Sequence, residues 1–289
     1  MKIITDERCV AYEQGGHPES PARVIRSVDR LRHQDELPVE WVEPLPVEDA
    51  TLRRAHSQSL LNRLELAVDF DLDTPAHAGI AQHARRSVGG ALQGLRCARR
   101  GEMSFALLRP PGHHATRDQV MGFCYLNSVA ISVLTAQAEG ITRVAVFDFD
   151  VHHGNGTEEI LVDRPDIAFF SIHQYPAYPG TGRRNRGGNC FNYPVPPGLS
   201  AAGYRDVANH AFEALVKFKP ELIAVSAGFD AYARDPLCQQ QLEAADFHWL
   251  GKTLAGFGVS MLSLLEGGYS PDLPDLILAY LRGLAGLKL

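Results

Sequence analysis

Short apolar runs alternate with longer amphipathic stretches along nearly the whole chain. Six runs have the length and composition of a buried strand, at residues 2–5, 104–108, 144–147, 167–173, 222–226 and 259–265. Helical spacing of apolar residues marks residues 22–31, 48–70, 76–100, 158–161, 201–218, 243–257 and 275–287, and a further apolar helix ends near residue 138. This alternation predicts an α/β fold, with a doubly wound, mostly parallel sheet flanked by helices. No linker or repeat interrupts the pattern, so residues 1–289 are interpreted as a single domain.

Two segments outside the strands bear on function. The first helix is predicted to begin with Ser20 as its N-cap and Pro21 at its first helical position. Arg23 follows in the first turn, where the sequence alone is typical of a charge on a helix surface. Residues 175–188 form a segment rich in Gly, Arg and Pro that is too long for an ordinary connection. We therefore expect this segment to line a binding site.

Residues 144–157 contain the densest group of polar residues in the chain. An apolar run is followed at once by acids and histidines. On an extended backbone Asp148, Asp150 and His152 point to the same side, so their side chains can reach one metal ion. The alternative is a buried strand followed by a polar turn, but it does not explain two acids within an apolar run, where an unpaired charge is costly. The pattern favours a metal site.

Polar residues also follow three other predicted strands. They are His113 and His114, Asp230, and Tyr269. In a parallel sheet all these strand ends meet at one edge. Taken singly, each residue is also compatible with a packing role, and the adjacent histidines are compatible with chance, metal binding or proton transfer. If the histidines are functional, we expect them to act as base and acid.

Composition excludes several classes of protein. The chain is 45% hydrophobic and 21% charged, as in ordinary globular proteins. Its net charge of −6 gives no general case for nucleic-acid binding. The five cysteines are scattered without a C-x-x-C pair, which indicates a reducing, cytoplasmic environment. Residues 1–6 do not have the pattern of a signal peptide, and no apolar run has the length of a membrane span.

Five motifs in order give the chain a resemblance to the zinc-dependent histone deacetylase family, in its class II, class IV or prokaryotic amidohydrolase-like branches. The motifs are RPPGHHA at 109–115, GFCYLN at 122–127, DFDVHHGNG at 148–156, SAGFD at 226–230 and LEGGY at 265–269. The resemblance extends from residue 17 over nearly the whole chain. It implies the arginase–deacetylase fold and an amidohydrolase that removes acetyl or other acyl groups from N-ε-acyl-lysine.

The resemblance also implies roles for individual residues. Asp150, His152 and Asp230 would be the ligands of one catalytic Zn²⁺, a set that leaves a position open for water. His113 and His114 would lie beside that water, with His114 as base and then acid.

Further residues would support this chemistry. Asp148 would accept a hydrogen bond from His113, and Asn155 would accept one from His114. Tyr269 would donate its hydroxyl to the substrate carbonyl. Because Asn155 is neutral, we expect His114 to be less basic than it would be beside a carboxylate.

The substrate channel and a second ion are implied in the same way. Phe123 and Tyr178 would wall the channel, Gly122 would offer its carbonyl to the substrate amide, and Arg23 would lie at the floor. Leu237 stands where polyamine-selective relatives carry Glu, which favours acyl-lysine over acetylpolyamine. A structural K⁺ or Na⁺ would be held by four residues, Asp148, Asp150, His152 and Ser171.

Three functions are consistent with this resemblance. The first is hydrolysis of acyl-lysine in a protein or peptide, and the second is the same reaction on a small acylated amine such as acetylpolyamine. The third is non-enzymatic binding of acyl-lysine, which the intact catalytic motifs disfavour. No direct nucleic-acid or membrane partner is expected. The oligomeric state is left open, with a monomer as one option.

Overall fold

A single parallel sheet forms the centre of the protein in a computed structural model, which describes residues 1–66 and 68–289. Within these residues the sheet has eight strands, and every pairing is parallel. The strands are β1 Lys2–Ile4, β2 Glu40–Val42, β3 Ser104–Ala106, β4 Val144–Asp148, β5 Ile167–Gln174, β6 Cys190–Val195, β7 Leu222–Ala227 and β8 Ser260–Leu265. The predicted α/β architecture is confirmed.

Helices flank the sheet. In the described residues they are α1 Ala22–Arg32, α2 Asp49–Leu52, α3 Gln58–Leu64, α4 Ile80–Ala98, α5 Ser128–Ala138, α6 Asn155–Leu161, α7 Ala201–Phe218, α8 Ala244–Ala255 and α9 Leu273–Leu284, with a 3₁₀ helix at Glu7–Val10. Within residues 1–66 and 68–289, no helix combines the length and the apolar character that a membrane crossing requires.

The sheet order places the central strands among apolar neighbours. The order is β2-β1-β3-β8-β7-β4-β5-β6. Strands β4, β5 and β7 are buried along their whole length, as expected for a parallel sheet covered on both faces. This burial explains why their sequences read as continuous apolar runs. It also leaves the polar strand ends as the places where chemistry can occur.

Three details of the predicted elements are wrong. The helix expected at residues 48–70 is replaced by two short helices, α2 and α3. Ser57 begins α3 as its N-cap, because its side chain accepts the N–H of Leu60 at 3.2 Å. Ala67, which is part of the expected range, lies outside the described residues. Pro21, not Ser20, is the N-cap of α1, and it makes no side-chain capping bond. Strands β2 and β6 are not among the six predicted strands.

Candidate active site

Four neighbouring strands end in polar loops on the same edge of the sheet. β3 leads to residues 109–115, β8 to residues 266–270, β7 to residues 228–230 and β4 to residues 149–155. Because these strands are parallel and adjacent in the order β3-β8-β7-β4, their carboxyl ends lie side by side. The expected meeting of polar strand ends at one edge is confirmed.

Asp150, His152 and Asp230 form a buried group whose ligand atoms all lie within 4.8 Å of one another. His152 Nδ1 is 3.0 Å from Asp230 Oδ2 and 3.3 Å from Asp150 Oδ1. Glycines make room for the carboxylates. A Cβ at Gly228 would lie 2.1 Å from Asp150 Oδ2, and one at Gly267 would lie 2.2 Å from Asp230 Oδ2. The group offers the oxygen and nitrogen donors that a divalent cation binds.

The two carboxylates of this group influence each other strongly. Burial first, and then the charge of Asp150, raise the pKa of Asp230 to about 7. The pKa of Asp150 is lowered instead, because the positive charges of His113 and His152 outweigh the effect of burial. Two buried carboxylates this close repel each other, so a cation between them stabilises the charged forms of both.

His113 and His114 stand side by side after β3, with ring centroids 4.1 Å apart. Asp148 Oδ2 lies 3.1 Å from His113 Nδ1, and Asn155 Oδ1 lies 2.7 Å from His114 Nδ1. Glu266 holds their loop, because its Oε2 accepts the backbone N–H of His113 at 3.2 Å and that of the preceding residue at 2.7 Å. With each Nδ1 facing an oxygen acceptor, each Nε2 is left for the site.

The pKa values of these two histidines are shifted in opposite directions. Burial alone would lower the pKa of His113, but the surrounding carboxylates, Asp150 foremost, raise it to about 10. Burial and the neighbouring charge of His113 lower the pKa of His114 well below its ordinary value. The neutral Asn155 offsets only a part of this decrease. His114 is thus much the less basic of the pair.

These groups open into a cavity of about 310 Å³. It is lined by His17, Pro18, Asp73, His114, Gly122, Phe123, His152, Tyr178, Leu237 and Tyr269. Sequence reasoning gave no role to His17, Pro18 or Asp73. His17 packs edge-on against Phe123, with ring centroids 4.6 Å apart, and its Nε2 lies 3.1 Å from the carbonyl oxygen of Asp73. Two features of the sequence could have pointed to these residues, namely the His-Pro turn before the first helix and the Asp that precedes the helix break at residue 75.

Aromatic rings form much of the cavity wall. The rings of Phe123 and Tyr269 meet edge-on with centroids 5.8 Å apart, and those of His114 and Tyr178 with centroids 5.1 Å apart. Gly122 has φ +57°, and a Cβ there would lie 2.6 Å from the ring of His114 and 2.9 Å from that of Tyr178. Only glycine therefore suits this position of the wall.

Tyr269 is held from two sides at the end of β8. Asp235 Oδ2 accepts its backbone N–H at 2.7 Å, and the guanidinium of Arg23 lies 4.9 Å from the ring centroid. Arg23 donates to the carbonyl oxygen of Gly268 at 2.7 Å and pairs with Glu19, and it is only 5% exposed. The interpretation of Arg23 as a helix-surface charge is wrong, because these partners compensate its burial. Burial also raises the pKa of Tyr269 well above its ordinary value, so its hydroxyl remains a donor.

Ser171, the remaining residue considered for a monovalent cation, lies in β5 directly beside Asp148 of β4. Both side chains are buried. Ser171 Oγ is 2.9 Å from His173 Nδ1, and Asp148 Oδ1 accepts the N–H of Asp150 at 3.1 Å. Side-chain oxygens of Asp148 and Ser171 are therefore buried on neighbouring positions of two adjacent strands.

Comparisons with known proteins agree on one family. The family described as "Histone deacetylase domain" matches residues 17–283. A protein named "Probable deacetylase" from Methanothermobacter thermautotrophicus is 36% identical over 302 residues, covering 99% of this chain and 91% of that protein. The crystal structure of the HDA15 HD domain superposes with a TM-score of 0.92 at 30% identity, covering 99% of this chain and 91% of that one. An acetylpolyamine aminohydrolase from Burkholderia pseudomallei gives a TM-score of 0.89 at 27% identity, covering 99% of each chain.

Proposed function

Because this chain belongs to the histone deacetylase family of deacetylases and amidohydrolases, we propose that it is a zinc-dependent enzyme that hydrolyses N-ε-acyl-lysine. The observation that carries the proposal is a convergence in one cavity. His152 of the carboxylate–imidazole group, His114 of the tandem histidines and Tyr269 all line one narrow space with aromatic walls. Hydrolysis of an amide at the end of an apolar stem requires this combination of parts.

Asp150, His152 and Asp230 fit zinc by their chemistry. Two carboxylates and one imidazole are common zinc ligands, and a set of three protein ligands is typical of catalytic zinc. When bound, zinc supplies Lewis acidity, which polarises the amide carbonyl and makes a neighbouring water more acidic. The close approach of the two buried carboxylates supports a cation at this position.

His114 is the proposed general base and acid. Its Nδ1 faces Asn155 Oδ1, so the neutral ring carries its proton there and presents a lone pair on Nε2 to the cavity. In that form Nε2 can take a proton from the attacking water and return it to the leaving amine. His113 faces Asp148 and supplies electrostatic stabilisation beside it.

Tyr269 is the proposed hydroxyl donor to the carbonyl oxygen. The backbone bond to Asp235 and the stacked Arg23 fix its position, so the donor needs no reorganisation during the reaction. Removal of one such donor costs about 3–4 kcal/mol in activation free energy in other hydrolases. We assign the same order of magnitude to Tyr269.

The cavity walls support an acylated lysine as the substrate. Phe123, Tyr178 and Leu237 offer apolar surface to a four-carbon stem, and the carbonyl of Gly122 can accept the N–H of the amide. Arg23, whose guanidinium lies 4.9 Å from the ring centroid of Tyr269, would lie at the floor, where the released acid would leave. A structural K⁺ or Na⁺ would be held by Asp148, Asp150, His152 and Ser171, two of which are also proposed zinc ligands.

A second candidate function is deacetylation of acetylpolyamine. One observation favours it, because the carboxylate residue Asp73 lines the cavity and would attract a second ammonium group. The similarity to an acetylpolyamine aminohydrolase is consistent with this candidate. Leu237 argues for acyl-lysine, because it is apolar and lines the same cavity.

Steady-state hydrolysis by the zinc-reconstituted protein tests the proposal, with an acetyl-lysine peptide and an acetylpolyamine assayed side by side. We expect the peptide to have the higher kcat/KM by about tenfold, which is about 1.4 kcal/mol in the transition state. A preference for the polyamine would overturn the substrate assignment. If the zinc-loaded protein binds the peptide but hydrolyses neither substrate, the chain is a binding protein and the proposed reaction is wrong.

A further inference from the structure

A second group of metal-ligating side chains lies beside the tandem histidines. His113, Cys124 and Glu266 each offer one ligand atom, and these atoms all lie within 4.8 Å of one another. All three residues are buried. They come from three parts of the chain, the loops after β3 and β8 and the tight turn at residues 121–124, so neither a single turn nor a helix face explains their proximity.

Each side chain of this group has a ligand atom that a cation can take, either because it makes few hydrogen bonds or because it can lose a proton; the sulfur of Cys124 faces the backbone N–H groups of His114 and Ala115. His113 Nδ1 faces Asp148, so Nε2 is the nitrogen that a cation can take when its proton leaves. Glu266 Oε2 accepts two backbone N–H groups, whereas Oε1 accepts, among the described residues, the hydroxyl of Ser226 alone, at the long distance of 3.3 Å. With the sulfur of Cys124, the group offers one nitrogen, one oxygen and one sulfur.

We propose that His113, Cys124 and Glu266 form a second, inhibitory metal site that takes a borderline-soft divalent cation such as Zn²⁺. A thiolate, an imidazole and a carboxylate are zinc ligands, and the thiolate excludes Mg²⁺ and Ca²⁺, which prefer oxygen. On binding, the cation displaces the proton of the Cys124 thiol and any proton on His113 Nε2. These protons leave to solvent as the metal–sulfur and metal–nitrogen bonds form.

Inhibition follows from the position of this site, and this step rests on the proposed function. His113 Nε2 lies 3.8 Å from Asp150 Oδ1, so a cation on the second group is a close neighbour of one on Asp150, His152 and Asp230. It would occupy Nε2 of His113 and place a second double charge beside the reacting atoms. Activity should therefore rise with the first equivalent of zinc and fall with the second.

The test uses the full chain, stripped of metal with a chelator and then titrated separately with Zn²⁺ and Co²⁺. Bound Zn²⁺ is counted after gel filtration, and a cobalt–thiolate charge-transfer band reports a Cys ligand. The wild type is expected to bind two equivalents, to show the band only with the second, and to lose activity at least about tenfold as it binds. Cys124→Ser should bind one equivalent, lack the band, and keep the activity of the one-zinc wild type.

Two further variants make the test specific. Cys190→Ser removes another buried cysteine, at the start of β6, and should behave like the wild type. Glu266→Gln keeps an oxygen acceptor for the backbone N–H groups but removes the carboxylate, and should weaken the second equivalent by at least about tenfold. These variants also separate a lost ligand from a general loss of structure.

Three of the results that would overturn the proposal come from the wild type and the Cys124→Ser variant. They are a wild type that binds a single equivalent, a second equivalent without the thiolate band, and a Cys124→Ser protein that is inhibited like the wild type. Cys238 is the other source of a thiolate near the site, with its sulfur 3.5 Å from His152 Nε2, so a band lost in Cys238→Ser and kept in Cys124→Ser would also overturn it. If the one-zinc protein fails to hydrolyse acyl-lysine, the proposed function is wrong, whereas stoichiometry and the band still decide whether the second site exists.

Discussion

Glu19 is a buried carboxylate shared by two buried arginines. Arg109 is fully buried, and its Nη2 donates to Glu19 Oε2 at 2.8 Å. Arg23 Nη1 lies 3.2 Å from Glu19 Oε1. Arg109 also reaches the carbonyl oxygen of Cys9 at 3.2 Å and lies 4.1 Å from the ring centroid of Tyr12. One negative charge thus compensates two guanidinium groups in the interior.

Glu19→Gln removes that charge and leaves both arginines with a neutral acceptor. Loss of one partner from a buried ion pair costs about 3–5 kcal/mol of unfolding free energy. Since Arg109 keeps its carbonyl and ring contacts, and Arg23 keeps the carbonyl of Gly268, we place the loss near the lower limit, at about 3 kcal/mol. A decrease of about 5–10 °C in Tm should accompany it.

The assay is calorimetric or chemical unfolding of the metal-free protein at pH 7. The double variant Glu19→Gln/Arg109→Met removes one of the two uncompensated charges, so it should be more stable than Glu19→Gln alone. Two results would refute the reasoning. They are a loss of less than about 1 kcal/mol in Glu19→Gln, and a double variant that is less stable than the single one.

Tyr269→Phe removes the hydroxyl donor to the carbonyl, and His114→Ala removes the proton carrier, so each should lower kcat about a hundredfold or more. Steady-state assays of the one-zinc protein check this, and near wild-type turnover would contradict the proposed roles. Gly122→Ala should lower kcat/KM at least about tenfold, because the added Cβ meets His114 at a positive φ, whereas Gly188→Ala, with open space at its Cβ, is the matched control. Burial lowers the pKa of His56 from 6.5 to about 4 in the folded protein. Above pH 6.5 the ring is neutral in both the folded and the unfolded state, and the full stability is present. As the pH falls from 6.5 towards 4, the unfolded state takes up a proton that the folded state does not, so the folded state loses stability. Urea unfolding between pH 7 and pH 5 should therefore show a loss about 2 kcal/mol larger in the wild type than in His56→Gln, and equal losses would exclude this linkage.

The sheet and the polar strand ends could be predicted because both follow from local patterns. Strands such as β4 and β7 are buried on both faces and read directly as apolar runs. The polar residues after them stand out against that background. The parallel arrangement then brings these ends together without any long-range information.

Features that depend on distant partners could not be predicted in the same way. Arg23 has the local signature of a surface charge, and it is buried only because Glu19 and the carbonyl of Gly268 receive it. Strand β6 was missed because polar residues and Pro194 interrupt its sequence, which an edge strand tolerates; in the described part of the chain, β5 is the strand that pairs with β6 in the sheet. Asp73 lines the cavity because of the path of its loop, and the periodicity of apolar residues does not predict the path of a loop.

The position of β8 in the sheet has a consequence for the order of folding. β8 lies between β3 and β7, yet it is the last strand in the sequence. In the native sheet, β2-β1-β3 and β7-β4-β5-β6 are joined only through β8, so this arrangement cannot be completed until residues 260–265 have been synthesised. The open edges of β3 and β7 are then exposed to pairing with other chains. Since Glu266 and Tyr269 arrive with the same strand, closure of the core and completion of the catalytic edge are a single late event.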